Sequence, residues 1–175
     1  MNRWVISALC VALCALSTPA VAGPYADGAH HWNNAEGKLT LMSGLLSDNA
    51  VQMNLKYTFY FEAAGKKPLY QVPLVDGKNQ SKYALTVTEA TLGDVTLEDA
   101  SIVQNGNAIW LLVAERETEP GDEFSGAVTT KTYKLISGND GNWAYYFQLV
   151  KTIRHAGTQG YTVEKALKEN ANALR

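Results

Sequence analysis

Residues 51–62 read VQMNLKYTFYFE, with apolar or aromatic side chains at the odd positions and mostly polar ones at the even positions. Successive side chains of a β-strand point to opposite sides of its sheet. The pattern therefore predicts a strand with one buried face and one exposed face. Its length and regularity make it the main evidence that the chain is predominantly β.

Further strands are predicted towards the C-terminus. Asn105-Gly106 joins apolar segments at residues 95–103 and 108–114, and Asn-Gly supplies the positive φ angles of a two-residue hairpin turn. The second of these segments is apolar throughout and predicts a central strand buried on both faces. A second hairpin is predicted from residues 128–136 and 143–153, with a turn at Asn139-Asp140-Gly141. Pro73, inside a strand predicted at residues 69–75, indicates a sheet edge or a bulge.

The two ends of the chain differ from this pattern. Residues 23–34 show no periodicity and predict a loose arm, whereas residues 38–46 fit a helix or a strand equally well. After Gly160 the spacing becomes helical, and Thr162 is placed to cap the first turn. We therefore predict an all-β fold, an antiparallel β-sandwich with a short C-terminal helix, with a β-barrel as the alternative.

Residues 1–22 have the order of a secretory signal peptide. Arg3 precedes an apolar stretch at residues 4–16, and Ala20-Val21-Ala22 forms a small-residue cleavage site. The apolar stretch is shorter than the roughly 20 residues that span a bilayer. We expect a single domain at residues 23–175, exported to the periplasm without membrane insertion. Both cysteines, Cys10 and Cys14, belong to the predicted signal, so disulfides and cysteine chemistry are not expected.

The composition and motifs argue against several classes of function. The chain has 15 basic and 17 acidic side chains and no basic cluster, so we do not expect nucleic acid as a partner. Ser47-Asp48-Asn49 matches the S-D-N element of serine β-lactamases, but S-x-x-K and K-T-G are absent and a turn is the simpler interpretation. Three histidines are few for a catalytic zinc site. We therefore expect no enzymatic activity.

An acidic run follows the predicted central strand and surrounds Pro120-Gly121. Carboxylates that converge on a loop supply the oxygen ligands that calcium prefers, so we predict a structural cation site here. The spacing fits no EF-hand, and the alternative is a solvent-exposed run of charge. The candidate ligands are Glu115, Glu117, Glu119, Asp122 and Glu123.

Two parts of the chain resemble the periplasmic inhibitors of invertebrate-type lysozyme. The first comprises residues 110–114, WLLVA, the Glu119-Pro120 turn, Ser125-Gly126 and the Thr-Tyr-Lys at residues 132–134. The second is residues 154–161, RHAGTQGY, which resembles the glycine-rich segment before the terminal helix of those inhibitors. The inhibitors place serine-rich residues in such loops, whereas this chain has His155 and Thr158.

The chain resembles a second family more closely, the carbapenem intrinsic resistance proteins, which have a fold similar to that of the inhibitors. This resemblance implies a periplasmic, non-enzymatic self-protection protein against a carbapenem β-lactam, acting by drug sequestration or target shielding. It also implies a homodimer and a bound cation, with a carbapenem or a cell-wall protein as partner. The alternative function is inhibition of a lysozyme or another cell-wall hydrolase.

Overall fold

The fold is known from a computed structural model that describes most of the chain after residue 24. The described residues are 25–49, 51–66, 68–77, 80–118, 125–138, 142–157 and 160–175. The predicted signal peptide and the predicted turn at residues 139–141 lie outside them. Among the described residues, no helix is long and apolar enough to cross a membrane.

Eleven strands and one helix make up the described structure, which confirms the predicted all-β class. In chain order they are β1 (Gly28–Asn34), β2 (Gly37–Asp48), β3 (Gln52–Ala63), β4 (Leu69–Gln71), β5 (Leu74–Val75), β6 (Tyr83–Ala84), β7 (Thr86–Leu92), β8 (Val95–Asn105), β9 (Ala108–Arg116), β10 (Val128–Ser137), β11 (Tyr145–His155) and α1 (Val163–Ala173).

The strands form one open sheet that folds over on itself. Its order is β1-β2-β3-β7-β8-β9-β10-β11-β5-β6, and β4 pairs with β3 outside this path. All described pairings are antiparallel except the one between β11 and β5. Phe59 of β3 packs edge-on against Phe147 of β11, with ring centroids 5.3 Å apart. Because β3 and β11 are distant in the strand order, this contact brings the two halves together in a sandwich-like arrangement.

The predicted alternation of residues 51–62 is present in β3. Leu55, Tyr57, Phe59 and Phe61 are all buried in the main core, whereas the intervening side chains are only partly buried. Val51 precedes the strand and is exposed. The buried face of β3 therefore supplies the largest aromatic surface of the core, and such large side chains dominate the energetics of a protein interior.

The strand predicted to be central is buried on both faces, as expected. Ile109 and Leu111 of β9 belong to the main core, and Leu112 and Ala114 belong to a second apolar cluster under α1. The helix presents Val163, Ala166, Leu167 and Ala171 to this cluster. The hydroxyl oxygen of Thr162 accepts a hydrogen bond from the Lys165 backbone N–H at 3.1 Å, which confirms the predicted cap.

The first predicted hairpin is present, but its turn is displaced by one residue. Asn105 pairs with Ala108, so the two loop residues are Gly106 and Asn107. Gly106 has a φ of 57°, and no described residue other than glycine has a positive φ. Gly106 therefore occupies the first loop position, where a type II′ hairpin turn has its glycine.

Three other predictions are corrected or settled. The loose arm predicted at residues 23–34 is wrong for its second half, because Gly28–Asn34 forms β1 and pairs along its whole length with β2. Residues 38–46, which fitted either structure, are strand. The strand predicted at residues 69–75 is two short strands, because Pro73 interrupts it and the chain passes from β3 to β11 at that point.

Candidate functional site

A polar cavity of about 280 Å³ lies between the short strands β5 and β6 and the longer strands β7 to β10. Its charged side chains come from four separate parts of the chain, so only the folded sheet brings them together. The lining residues are Leu74, Asp76, Lys82, Tyr83, Ala84, Thr86, Val87, Glu98, Val113, Glu115, Thr129, Lys131 and Tyr133.

Two carboxylates lie side by side in this cavity. Glu98 of β8 is directly opposite Glu115 of β9 in the antiparallel register. Side chains at such opposed positions have Cβ atoms about 5 Å apart, and like charges there repel each other. Burial raises the pKa of Glu98, and the negative charge of Glu115 raises it further, whereas a hydrogen bond from the Thr88 backbone and the charges of Lys56 and Lys131 act in the opposite direction. The pair therefore favours a proton or a cationic partner.

The opposite side of the cavity is basic. Lys131 of β10 places its Nζ 3.7 Å from the Oδ2 atom of Asp76, and the Tyr133 hydroxyl donates to Oδ1 of the same carboxylate at 2.9 Å. Burial and this hydrogen bond raise the pKa of Tyr133, so its hydroxyl keeps its proton and remains a donor. The Lys131 side chain is 39% exposed, which leaves its ammonium group accessible to a ligand. Lys82 adds a second ammonium group to the lining.

Aromatic surface adjoins the polar lining. Tyr83 is half exposed and packs edge-on against Trp143, with ring centroids 4.8 Å apart. Trp143 was predicted to begin a strand, whereas it lies just before β11. The cavity thus combines charged groups with an adjoining aromatic surface.

Two of the five predicted cation ligands belong to the described residues, and they have different surroundings. Glu115 lines the cavity, whereas Glu117 forms a bidentate ion pair with Arg154, with N–O distances of 2.8 and 2.6 Å. Glu119, Asp122 and Glu123 lie outside the described residues. Within the described ranges, no three His, Cys, Asp or Glu side chains are grouped so that they could hold a metal ion. Calcium binding by the whole acidic run stays a prediction.

The base of the acidic run is tightly packed. The Arg116 side chain is buried and donates to the backbone carbonyls of Gly126 and Tyr161, at 3.2 and 2.6 Å. A Cβ atom added at Gly126 would lie 1.6 Å from the Glu117 carbonyl oxygen, and one at Gly157 would lie 1.9 Å from that of Ser125. This packing joins the end of β9, the start of β10 and the segment before α1 into one closely packed region.

A second, more open recess lies between β8 and α1. Its volume is about 460 Å³, and its lining includes Asp99, Ser101, Glu164 and Leu167. Asp99 is only 2% exposed. Burial raises its pKa to about 8, and the charge of nearby Glu89 contributes to the increase. The sequence does not single out these acidic groups, because Asp99 and Glu164 are far apart in the chain and come together only in the folded structure.

No protein-family model and no curated protein matches this chain. Among solved structures, the crystal structure of CarG superposes with a TM-score of 0.64 at 18% identity. The match covers 83% of this chain and 92% of the CarG chain. The chain shares its fold with CarG. The similarity to CarG extends over nearly the whole of that protein, so the architecture described above belongs to both.

Proposed function

We propose that this chain is a non-enzymatic self-protection protein that sequesters a carbapenem in the cavity between β5–β6 and β7–β10. The resemblance of its sequence to the carbapenem intrinsic resistance proteins and the fold that it shares with CarG support this proposal. The observation that carries it is the cavity itself, where the accessible ammonium group of Lys131 adjoins an aromatic surface. The protein would act in the periplasm, after export through its N-terminal signal.

The chemistry of the ligand agrees with this cavity. A carbapenem is a small bicyclic molecule with one ring carboxylate, and the cavity volume of about 280 Å³ is close to the lower end of ligand sites, about 300 Å³. Lys131 is the natural partner of the ring carboxylate, because its own ion pair with Asp76 is long, at 3.7 Å. Tyr83 and Trp143 would pack against the apolar part of the bicycle.

Binding without turnover is supported by the lining. None of the described residues that line the cavity is a serine or a cysteine, the side chains that most readily form covalent acyl intermediates. A protein of this kind would hold the β-lactam intact and reduce its free concentration around the cell-wall enzymes. Protection would then depend on the amount of protein exported, in a stoichiometric relation to the drug.

The direct test is calorimetric titration of residues 23–175 with a carbapenem, together with the ultraviolet absorbance of the β-lactam ring. We expect binding of one drug per chain and an unchanged absorbance after hours of incubation. Lys131→Met should weaken binding at least ten-fold. Lys151→Met, at an exposed position of the neighbouring strand β11, is the matched control and should bind as the parent does.

Two outcomes would count against the proposal. Loss of the ring absorbance at catalytic protein concentrations would show an enzyme, and absence of binding would remove sequestration. A lysozyme turnover assay with added protein tests the alternative, inhibition of a cell-wall hydrolase. In cells, resistance of a sensitive bacterium should rise only when the chain is expressed with residues 1–22.

A further inference from the structure

The charged groups of the cavity are divided between two sides. Glu98 and Glu115 lie on β8 and β9, and Thr129 of β10 continues the same cross-strand row. Lys131 is two residues further along β10, on the same face of the sheet and next to Val113. With strands about 4.8 Å apart and a rise of about 3.3 Å per residue, the Cα atoms of Glu115 and Lys131 are separated by roughly 8 Å. Acidic and basic groups thus face one cavity at a spacing that one small molecule can bridge.

The third carboxylate of the cavity is already engaged. Asp76 accepts the Tyr133 hydroxyl at 2.9 Å and pairs with Lys131 at 3.7 Å. Glu98 accepts a hydrogen bond from the Thr88 backbone, and it also faces the like charge of Glu115 across the strand pair. A ligand with a carboxylate alone would engage Lys131, one of the two ammonium groups near Glu98, and would leave the repulsion between Glu98 and Glu115 less compensated.

We propose that the cavity selects a zwitterion, with the ligand carboxylate at Lys131 and an ammonium group between Glu98 and Glu115. This inference rests on the proposed function and names its ligand class, a carbapenem that carries a basic side chain. The ammonium group replaces the repulsion between two carboxylates by two charge-assisted hydrogen bonds, whereas an acylated amine offers only a neutral donor. The acidic pair would therefore provide the selectivity for a ligand with an ammonium group, whereas Lys131 would attract anionic ligands in general.

A matched pair of ligands tests this selectivity. Thienamycin ends in a primary amine, and its N-acetyl derivative keeps the bicycle and the carboxylate but lacks the positive charge. Calorimetric titration should show thienamycin binding at least ten-fold more tightly. In Glu98→Gln and Glu115→Gln the ratio should fall to about three-fold or less. Glu117→Gln, which removes a neighbouring carboxylate outside the cavity, is the control and should keep the parent's ratio. Thermal unfolding of each variant checks that the fold is retained.

The result distinguishes this inference from the function on which it rests. Equal affinities for the two carbapenems, or tighter binding of the acetylated one, would overturn the zwitterion site and leave drug sequestration in place. If neither carbapenem binds, the proposal of drug sequestration fails. The zwitterion site is then tested separately with 4-aminobutyrate, and butyrate and butylamine serve as the singly charged comparisons. The carboxyl NMR signals of Glu98 and Glu115 report binding. Saturable shifts with 4-aminobutyrate alone would support the zwitterion site, and any other pattern would overturn it.

Discussion

The Tyr57 hydroxyl donates a hydrogen bond to the carboxylate of Glu89 across the β3–β7 strand pair, and both side chains are at most 2% exposed. A carboxyl group buried this deeply needs a donor, because a buried polar atom without a partner costs the full loss of its hydration. Tyr25 packs edge-on against Tyr57 and accepts the Ile102 backbone N–H with its own hydroxyl, at 2.6 Å. The main core thus contains a polar network among its aromatic rings.

Removing the donor of this network should destabilise the fold. We expect Tyr57→Phe to lower the free energy of unfolding by about 1–3 kcal/mol, because Glu89 loses its hydrogen bond while it remains buried. Urea denaturation followed by tryptophan fluorescence measures the change. Tyr60→Phe, on the opposite face of the same strand, should change stability by less than about 0.5 kcal/mol. Equal effects of the two substitutions would contradict the assigned role.

The buried carboxyl group of Asp99 should make stability depend on pH. Its pKa of about 8 in the folded protein exceeds the ordinary value of about 3.9, so between these values the native state holds a proton that the unfolded state has lost. The free energy of unfolding should therefore fall as pH rises from about 4 to 8, by at most about 1.4 kcal/mol per pH unit for this group. The raised pKa of Glu89 acts in the same direction.

Asp99→Asn removes this titration and should flatten the pH profile of stability. At pH 8.5 the variant should be more stable than the parent, whereas at pH 4 the two should be similar. Asp94→Asn, in the exposed turn between β7 and β8, should leave the profile unchanged. Parallel profiles for the parent and Asp99→Asn would show that another group carries the dependence.

The two glycines at the base of the acidic run should not tolerate a side chain. Gly126→Ala and Gly157→Ala each place a methyl group against a backbone carbonyl, and overpacking of this kind costs about 1–3 kcal/mol or more. Gly44→Ala is the comparison, because nothing lies within 4 Å of its added Cβ. The midpoint temperature of thermal unfolding should be clearly higher for Gly44→Ala than for the other two variants. Similar midpoints for all three would argue against close packing at Gly126 and Gly157.

The N-terminal cap of α1 should contribute measurably to stability. Thr162→Ala removes the acceptor of the Lys165 N–H and should cost about 1 kcal/mol, whereas Thr162→Ser keeps a hydroxyl oxygen and should be nearly neutral. Because α1 covers the second apolar cluster, loss of the cap should also increase amide hydrogen exchange along the helix. Equal stability of the alanine and serine variants would show that the cap is dispensable.

The strands were predictable where their side chains alternate or form long apolar runs. β3 and β9 bury large surfaces, so burial imposes a clear pattern on their residues. β1 has no such pattern, because its sequence GAHHWNN is mostly polar, and its order comes from main-chain pairing with β2 and from ring contacts of His30 and Trp32 with Tyr25. The His31 ring contributes a hydrogen bond to Thr40 at 3.0 Å, a contact that no local periodicity could reveal.

The cavity was beyond prediction for a related reason. With a turn at Asn105-Gly106 the register would place Glu98 opposite Val113, whereas the actual turn at Gly106-Asn107 places it opposite Glu115. With the turn placed one residue too early, the sequence does not predict that Glu98 and Glu115 face each other. Asp76 and Lys131 are 55 positions apart in the chain and meet only because β5 pairs with β11 at the far side of the sheet.

The position of α1 has a consequence for the order of assembly. The helix follows all eleven strands in the chain, yet it covers Val103, Leu112 and Ala114 on one face of the sheet. A chain that is synthesised or exported from its N-terminus therefore presents these strands before their cover arrives. During that interval these apolar side chains lack their cover, and exposed apolar surface of this kind favours aggregation. The second apolar cluster is therefore fully buried only after α1, the last element of the chain, has packed on the sheet.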